Sequence, residues 1–328
     1  MKCILEGFKN LVVIVSSSYK FDSLLELESF KSFFFDLNKL LDFNSNYHFH
    51  VFWGMKNEEN VLLDQVEIIS NKLNVLFWIG DEEGYIPSDY VFKRFKYVFK
   101  VHLRDRDAIK IENGINVYRD GLFHFPLLTI DEVPELPILP LAKRKHNLYY
   151  CGNLNKNRLP FYLVLNRKAK LYEYLIAFLL KYNLRGGDRL FNVCYNGKSF
   201  DLSNFYSNSY IKFYSGFNNG DDYKTYAKFL QNSKIVLSPK GFYSTECFRF
   251  YEAMRQGCIV ITEGLPNVEC YKGAPCIRLK NWKTLSSVLS DKELIDSFSS
   301  DYIKDFYNKK LSPNAIAKYV NDILIRNI

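Results

Sequence analysis

KIVLSPKGFYSTECFRFYEAMRQGCIVITEGLPN, residues Lys234–Asn267, sets a β-branched apolar run, a Pro-Lys-Gly turn, an amphipathic segment and a second apolar run stopped by glycine in immediate succession. Short continuous apolar runs bounded by turn residues are the mark of parallel strands buried on both faces. KIVLS and CIVIT therefore read as neighbouring strands, with the helix TECFRFYEAMRQG between them and Gly257 as its left-handed stop. Pro239 and Gly241 make the turn, and Ser244 or Thr245 is placed to cap the helix. A loop carrying glycine into a helix N-terminus offers open N–H groups and the positive end of the helix dipole, which suits a phosphate, and Lys240 adds a charge. Within the helix, Cys247, Phe250, Tyr251 and Met254 share one stripe, expected to pack. Thr245, Arg249, Glu252 and Gln256 share another, expected to be open either to a ligand or to an ordinary Arg249–Glu252 surface pair.

The same alternation runs outward on both sides. NLVVIVSSS (Asn10–Ser18), YHFHVFWG (Tyr47–Gly54) and NVLFWIG (Asn74–Gly80) read as strands. FDSLLELESFKSFFFDLNKLLDF, capped by Asp22 or Ser23, and NEENVLLDQVEIISNKL read as the helices between them, which gives a β-α-β-α-β unit. YVFKRFKYVFKVHLRD continues it as helix or strand. Pro126, Pro134, Pro137 and Pro140 break the stretch Phe125–Asn147, where an interdomain linker is expected. Beyond it NLYYCGN reads as a strand, LYEYLIAFLLKYNL as a helix ending before Gly186-Gly187, RLFNVCYN as a strand and DDYKTYAKFLQNS as a helix. The expected organisation is α/β: a Rossmann-like domain over residues 1–125, a linker over 126–146, a second Rossmann-like domain over 147–300, and a helical segment over 301–328 that crosses back to the first domain. In such a pair the ligand sits at the carboxyl ends of the strands, in a crevice between lobes.

Composition narrows the class. The chain has 328 residues, 48% hydrophobic and 17% aromatic, enough for two folded cores. Its net charge of +8 favours anionic partners, such as nucleoside diphosphates, anionic lipid headgroups or nucleic acid, without deciding among them. The N-terminus shows neither a signal peptide nor a membrane span. Cys3, Cys151, Cys194, Cys247, Cys258, Cys270 and Cys276 form no Cys-x-x-Cys pair and read as reduced thiols of a cytoplasmic protein. No G-x-G-x-x-G follows the first strand and no G-x-x-x-x-G-K-[ST] occurs, which disfavours a dehydrogenase and excludes a P-loop NTPase.

The order strand, Pro-x-Gly turn, S/T…R-x-x-E-A…G-C-I-V-I resembles the C-terminal lobe motif of GT-B glycosyltransferases, above all the exostosin-like enzymes, with a looser likeness to α1,3-fucosyltransferases. The resemblance implies that Glu252 binds the donor's ribose, that Arg249 and Lys240 face its diphosphate, and that Gly241 to Thr245, with Ser244, form the phosphate-facing loop. LYYCGNLNKNRLPFY resembles the opening of the same lobe, which adds Gly152, Asn153 and Arg158 to the donor site. The sequence departs from the exostosin pattern where GCIVI lacks the proline of G-C-I-P-V-I.

The implied activity is transfer of a sugar from a UDP- or GDP-type nucleotide sugar, a co-substrate rather than a cofactor, to a glycan or lipid-linked acceptor. Peripheral membrane contact is compatible with it, and no nucleic acid is expected. Inverting transfer needs a general base for the acceptor hydroxyl. Asp81, Glu82 and Glu83, just beyond a strand end, are the candidates, while His50, His102 and His124 read as core histidines. Asp105-Arg106-Asp107 is a D-x-D, but without the single-lobe context in which that pair holds a metal, so no metal is expected. A two-lobed nucleotide-sugar epimerase shares the expected fold, and a non-catalytic glycan- or RNA-binding protein is the alternative of a different class.

Overall fold

The computed structural model describes residues 2–3, 11–15, 24–41, 46–130, 132–216 and 220–326. The expected helix caps Asp22 and Ser23, and Asn10 and Ser16–Ser18 at the ends of the first expected strand, lie outside the described residues. The chain divides into two compact units: unit 1 comprises Met1–Ile130, Pro266–Gly273 and Asn308–Ile328, and unit 2 comprises Asp131–Leu265 and Ala274–Tyr307. The fold is α/β, and each unit is built on its own largely parallel six-stranded sheet in the Rossmann manner.

Unit 1 carries β1 (Lys2–Cys3), β2 (Leu11–Val15), α1 (Leu24–Leu41), β3 (Tyr47–Trp53), α2 (Glu59–Gln65), β4 (Leu73–Trp78), α3 (Asp89–Arg94), β5 (Tyr97–Lys100), a small hairpin of β6 (Lys110–Glu112) and β7 (Ile115–Val117), and β8 (Leu122–His124). The sheet order is β1-β2-β3-β4-β5-β8, parallel except for the edge strand β1. Its strands follow one another in sequence order, so this sheet has no point at which the winding reverses, the feature that opens a ligand crevice in α/β sheets. Phe33 and Phe34 of α1 pack edge-on against Phe77 at 5.5 and 5.3 Å. The ambiguous stretch after Tyr90 is both helix and strand, α3 then β5. The helix expected through residue 73 stops at Gln65. The β-branched VEII that follows disfavours it, and Asn74 Nδ2 donates instead to the Ile69 and Lys72 carbonyls, holding a turn.

Unit 2 carries β9 (His146–Asn153), α4 (Leu159–Leu165), α5 (Leu171–Lys181), α6 (Gly187–Tyr195), β10 (Phe200–Asp201), β11 (Ser209–Tyr214), α7 (Tyr223–Gln231), β12 (Ser233–Ser238), α8 (Phe248–Arg255), β13 (Ile259–Thr262), β14 (Cys276–Arg278), α9 (Leu285–Ser290), α10 (Lys292–Asp296) and α11 (Ser300–Phe306). RLFNVCYN, expected as a strand, lies in α6. Phe191 and Tyr195, four residues apart, are buried while Leu190 and Val193 face out, which is a helical period and not an alternation. The strand at this point of the topology is SYIKFY, β11.

The sheet order β10-β11-β9-β12-β13-β14 places the second long strand, β11, on one side of β9 and the third, β12, on the other. Adjacent residues of β9 show the two helical layers: Tyr150 packs on Phe161 of α4 at 5.0 Å, and Tyr149 on Phe229 of α7 at 5.5 Å. The winding therefore reverses between β9 and β12, and their carboxyl ends, Gly152-Asn153 and Ser238, flank the opening this creates.

Arg144, 4% exposed, anchors the Pro-rich stretch to unit 2. Its guanidinium donates to the carbonyls of Leu139 (2.9 Å), Ser233 (2.8 Å) and Gln256 (2.7 Å). The last helix, α12 (Pro313–Arg326), belongs to unit 1, packs on α1, and donates from Tyr319 Oη to the His124 carbonyl at 3.1 Å.

Candidate active site

Two segments far apart in sequence meet at the reversal point of unit 2. Asn155 Oδ1 accepts the Arg158 N–H at 3.0 Å and turns the chain after β9 into α4. Across the opening, Gly241 N–H donates to the Ser244 carbonyl at 2.8 Å, and Ser244 Oγ accepts the Glu246 N–H at 3.1 Å, which closes the turn after β12. Arg158 stitches the two together: Nε donates to the Lys240 carbonyl at 2.8 Å and Nη1 to the Asn153 carbonyl at 2.9 Å. Asn157 Nδ2 adds a bond to the Phe242 carbonyl. Gly152, Asn153, Arg158, Lys240, Gly241, Ser244 and Thr245 are thus gathered at one place, yet Arg158 is spent on backbone carbonyls as a clamp rather than aimed outward.

The helix after the turn begins at Phe248, with Cys247 and not Ser244 or Thr245 as its N-cap. The loop is longer than expected because Ser244 caps its own turn. Lys240 and Gly241 do not offer open amides either: the first donates to Glu263 Oε2 at 3.0 Å and the second to Ser244. The amides of Phe242, Tyr243 and Thr245 donate to nothing among the described residues, and the Lys240 side chain forms no ion pair among them. Phe242 and Tyr243 are exposed at the loop's tip.

Arg249, in the first turn of α8, is half-buried. Nη2 donates to the Cys151 carbonyl at 2.6 Å and the guanidinium lies 4.8 Å over the Tyr150 ring. Its Nε is buried with no partner. Burial works to lower its pKa, but the hydroxyls and thiols of Tyr150, Tyr226, Cys247 and Cys151 outweigh that and raise it, so the charge is permanent. Beneath it Gly152 leaves room for the guanidinium: a Cβ there would lie 2.6 Å from Arg249 Nη2 and 2.9 Å from Tyr150 Oη, so Arg249 would have to move. Tyr150 Oη and Asn155 Nδ2, both in buried side chains, also lack partners. Three unsatisfied buried polar atoms thus gather around the end of β9, though such atoms also occur elsewhere among the described residues, as at Trp282 Nε1 and Asn116 Oδ1.

Glu252 is placed otherwise than its stripe suggests. It is 3% exposed, and Oε2 accepts from Tyr226 Oη at 2.8 Å. Burial, then the carboxylate beside it, raises the Tyr226 hydroxyl's pKa well above its ordinary value. Gln256, on the same stripe, is fully buried. The stripe expected to be open is not free: Tyr226 of α7 bonds Glu252, α11 also packs on α8, and a Cβ on Gly257 would meet the Ser300 carbonyl at 2.8 Å. Arg249 pairs with Cys151 and Tyr150 rather than with Glu252.

In unit 1 the expected acidic cluster is divided. Asp81 is fully buried, and Lys100 Nζ, equally buried, lies 2.9 Å from Oδ2, which also accepts the Tyr85 N–H. Its carboxylate is part of the core. Glu82 and Glu83 are half-buried. Asp105 Oδ1 accepts from Asn116 Nδ2 at 2.5 Å and from the Asn267 N–H at 2.9 Å, so the D-x-D aspartate holds loops. His50, His102 and His124 are buried.

Sequence reasoning passed over Tyr150, Asn155, Tyr226 and Glu263. The signal for Tyr150 was its position two residues before Gly152 on a strand aimed at the site, and for Asn155 its place as a turn cap three residues before Arg158.

Residues 214–302, from β11 through α8 and β13 to α11, match a family model described as the RXYLT1 C-terminal domain. The segment contains Lys240, Arg249 and Glu252. No curated protein matches the chain. Among solved structures it is similar to AviGT4, a glycosyltransferase involved in avilamycin A biosynthesis, at 12% identity over 90% of both chains and a TM-score of 0.39. It is similar to Acinetobacter baumannii MurG at 10% identity, over 92% of this chain and 80% of that one, with a TM-score of 0.38. A glycosyltransferase from Rickettsia africae shares 10% identity over 96% of this chain and 90% of that one, with a TM-score of 0.46. Likeness this loose identifies no activity.

Proposed function

We propose that the protein is a GT-B glycosyltransferase that takes a sugar from a UDP- or GDP-type nucleotide sugar, with the donor's diphosphate bound at the β9/β12 ends of unit 2. The observation that carries the reading is Arg249: a permanent guanidinium at a strand-reversal point, with an orphaned Nε, over a glycine that keeps the approach clear. The family match over residues 214–302, whose namesake is a xylosyltransferase and exostosin-like, supports it independently.

In this reading the sugar–phosphate bond breaks as the acceptor hydroxyl attacks, and negative charge grows on the leaving diphosphate. Arg249, Lys240, the amides of Phe242–Thr245 and the N-terminal end of α8 meet that charge without a metal ion. The base that takes the acceptor's proton is assigned to Glu82 or Glu83, since the Asp81 carboxylate is held by Lys100. Transfer is assigned as inverting, to a cell-surface glycan or lipid-linked acceptor, and the site of work as the cytoplasm, where free thiols such as Cys151, Cys258 and Cys270 stay reduced. Glu252 reaches a donor ribose only if its bond to Tyr226 Oη is exchanged, so its assignment as ribose ligand stands second to that of Arg249.

The test is thermal stabilisation by UDP, GDP and CMP and their sugars. A rise in Tm with a nucleoside diphosphate, or its sugar, supports the reading. If none raises Tm, the reading fails. Interconversion of a free nucleotide sugar without acceptor would replace it with an epimerase.

A further inference from the structure

The α5–α6 hairpin of unit 2 turns its apolar stripe outward. Leu171, Leu175, Phe178 and Tyr182 recur at four- and three-residue spacing on one face of α5, and all are exposed, Leu171 by 86%. Phe178 and Tyr182 touch each other as tilted rings, 4.8 Å between centroids, both exposed. The inward face of α5 is satisfied by others: Ile176 is buried, and Glu173 accepts from Tyr195 Oη at 3.0 Å. On α6, Leu190 and Val193 are exposed as well, Val193 by 68%. Soluble surfaces carry apolar side chains singly, and a contiguous exposed stripe marks an interaction surface.

The charge around the stripe says what it meets. Residues 166–199 hold seven basic side chains (Lys168, Lys170, Lys181 and Lys198 with Arg167, Arg185 and Arg189) against two carboxylates, Glu173 and Asp188. That is a net +5, most of the whole chain's +8. Glu173 is buried, and Asp188 is paired with Lys156 at 2.7 Å. Lys168, Lys170, Lys181, Arg185 and Arg189 are exposed and form no ion pair among the described residues. Protein–protein interfaces are depleted in lysine. An apolar stripe with tyrosines, rimmed by lysine and arginine stems that can carry their charges up to headgroups, fits a bilayer surface of anionic lipid. No described helix is long and apolar enough to cross a membrane, so contact of this kind lies in the interface plane.

We propose that the α5–α6 hairpin docks the protein on anionic membranes, with Leu171, Leu175, Phe178 and Tyr182 entering the headgroup boundary and the surrounding lysines and arginines binding lipid phosphate. The proposal is independent of the glycosyl-transfer reading and stands if that reading falls. The experiment is co-sedimentation of the full chain with phosphatidylcholine vesicles containing or lacking phosphatidylglycerol, for the wild type, Leu175→Glu/Phe178→Glu and Lys181→Glu/Arg185→Glu. Circular dichroism confirms that each variant is folded, as substitution at exposed positions allows.

The expected result is binding only to the anionic vesicles, weakened by salt and reduced about tenfold or more in each double variant. Failure of the wild type to bind anionic vesicles overturns the proposal, as does undiminished binding by both variants. A wild-type dimer in sedimentation velocity that Leu175→Glu/Phe178→Glu dissociates would also overturn it and assign the stripe to a second copy of the chain.

Discussion

Arg249 lies so close over Gly152 that Nη2 would stand 2.6 Å from a Cβ placed on that glycine, while the same nitrogen donates to the Cys151 carbonyl. The two residues come from different sequence motifs, and their contact joins the end of β9 to the start of α8. Gly152→Ala would force the guanidinium aside. The expected outcome is a stability loss of about 1–3 kcal/mol in chemical denaturation, with nucleoside diphosphate affinity weakened about tenfold. Unchanged affinity in that variant would show that Arg249 does not face the ligand.

The Asp81–Lys100 pair tests whether Asp81 serves the core. Both groups are fully buried, 2.9 Å apart. Breaking such a pair leaves a lone buried charge, so Lys100→Met is expected to destabilise by about 3–5 kcal/mol. Lys100→Met/Asp81→Leu should recover much of that loss. Urea melts of the two variants check it, and a double variant as unstable as the single one would contradict the pairing.

His146, at the start of β9 and 5.5 Å from the Phe229 ring, has its pKa lowered by burial and then by the Lys145 charge beside it. The unfolded chain therefore binds this proton more readily than the folded one. The contribution is present above pH ~6.5, the ordinary histidine value, and is lost as pH falls through the lower folded value. His146→Phe should flatten the fall in Tm between neutral and acidic buffer. An equal fall in both proteins would remove His146 as its source.

The sequence makes the strands KIVLS and CIVIT legible because parallel strands buried on both faces are continuous apolar runs with turn residues at each end. SYIKFY was not legible, since Tyr210, Lys212 and Tyr214 are half-buried and break the run. RLFNVCYN reads as a strand in its place, although Phe191 and Tyr195 carry a helical period. That exchange hides the order of the sheet, and with it the reversal between β9 and β12 that explains why Gly152 and Ser238 flank one opening.

The site was legible in its members more than in its contacts. Arg249 and Gly152 stood out separately, but no local pattern announces a bond from Arg249 to Cys151, 98 residues away. A polar stripe predicts an open Glu252, which the structure buries. The side chain that holds it, Tyr226 of α7, lies 26 residues away on another helix, and periodicity carries no information about it.

The proposed role of Arg249 is to bind a nucleoside diphosphate at the β9/β12 ends. Its most direct test is calorimetric titration of UDP and GDP into the wild type and Arg249→Met, with Tm measured for both. The expected result is binding of at least one by the wild type and an affinity about 10–100-fold weaker in the variant, whose unliganded Tm is lower because the bond to the Cys151 carbonyl is lost, with circular dichroism showing it folded. Binding of neither nucleotide by the wild type, or equal affinity in the folded variant, would contradict it.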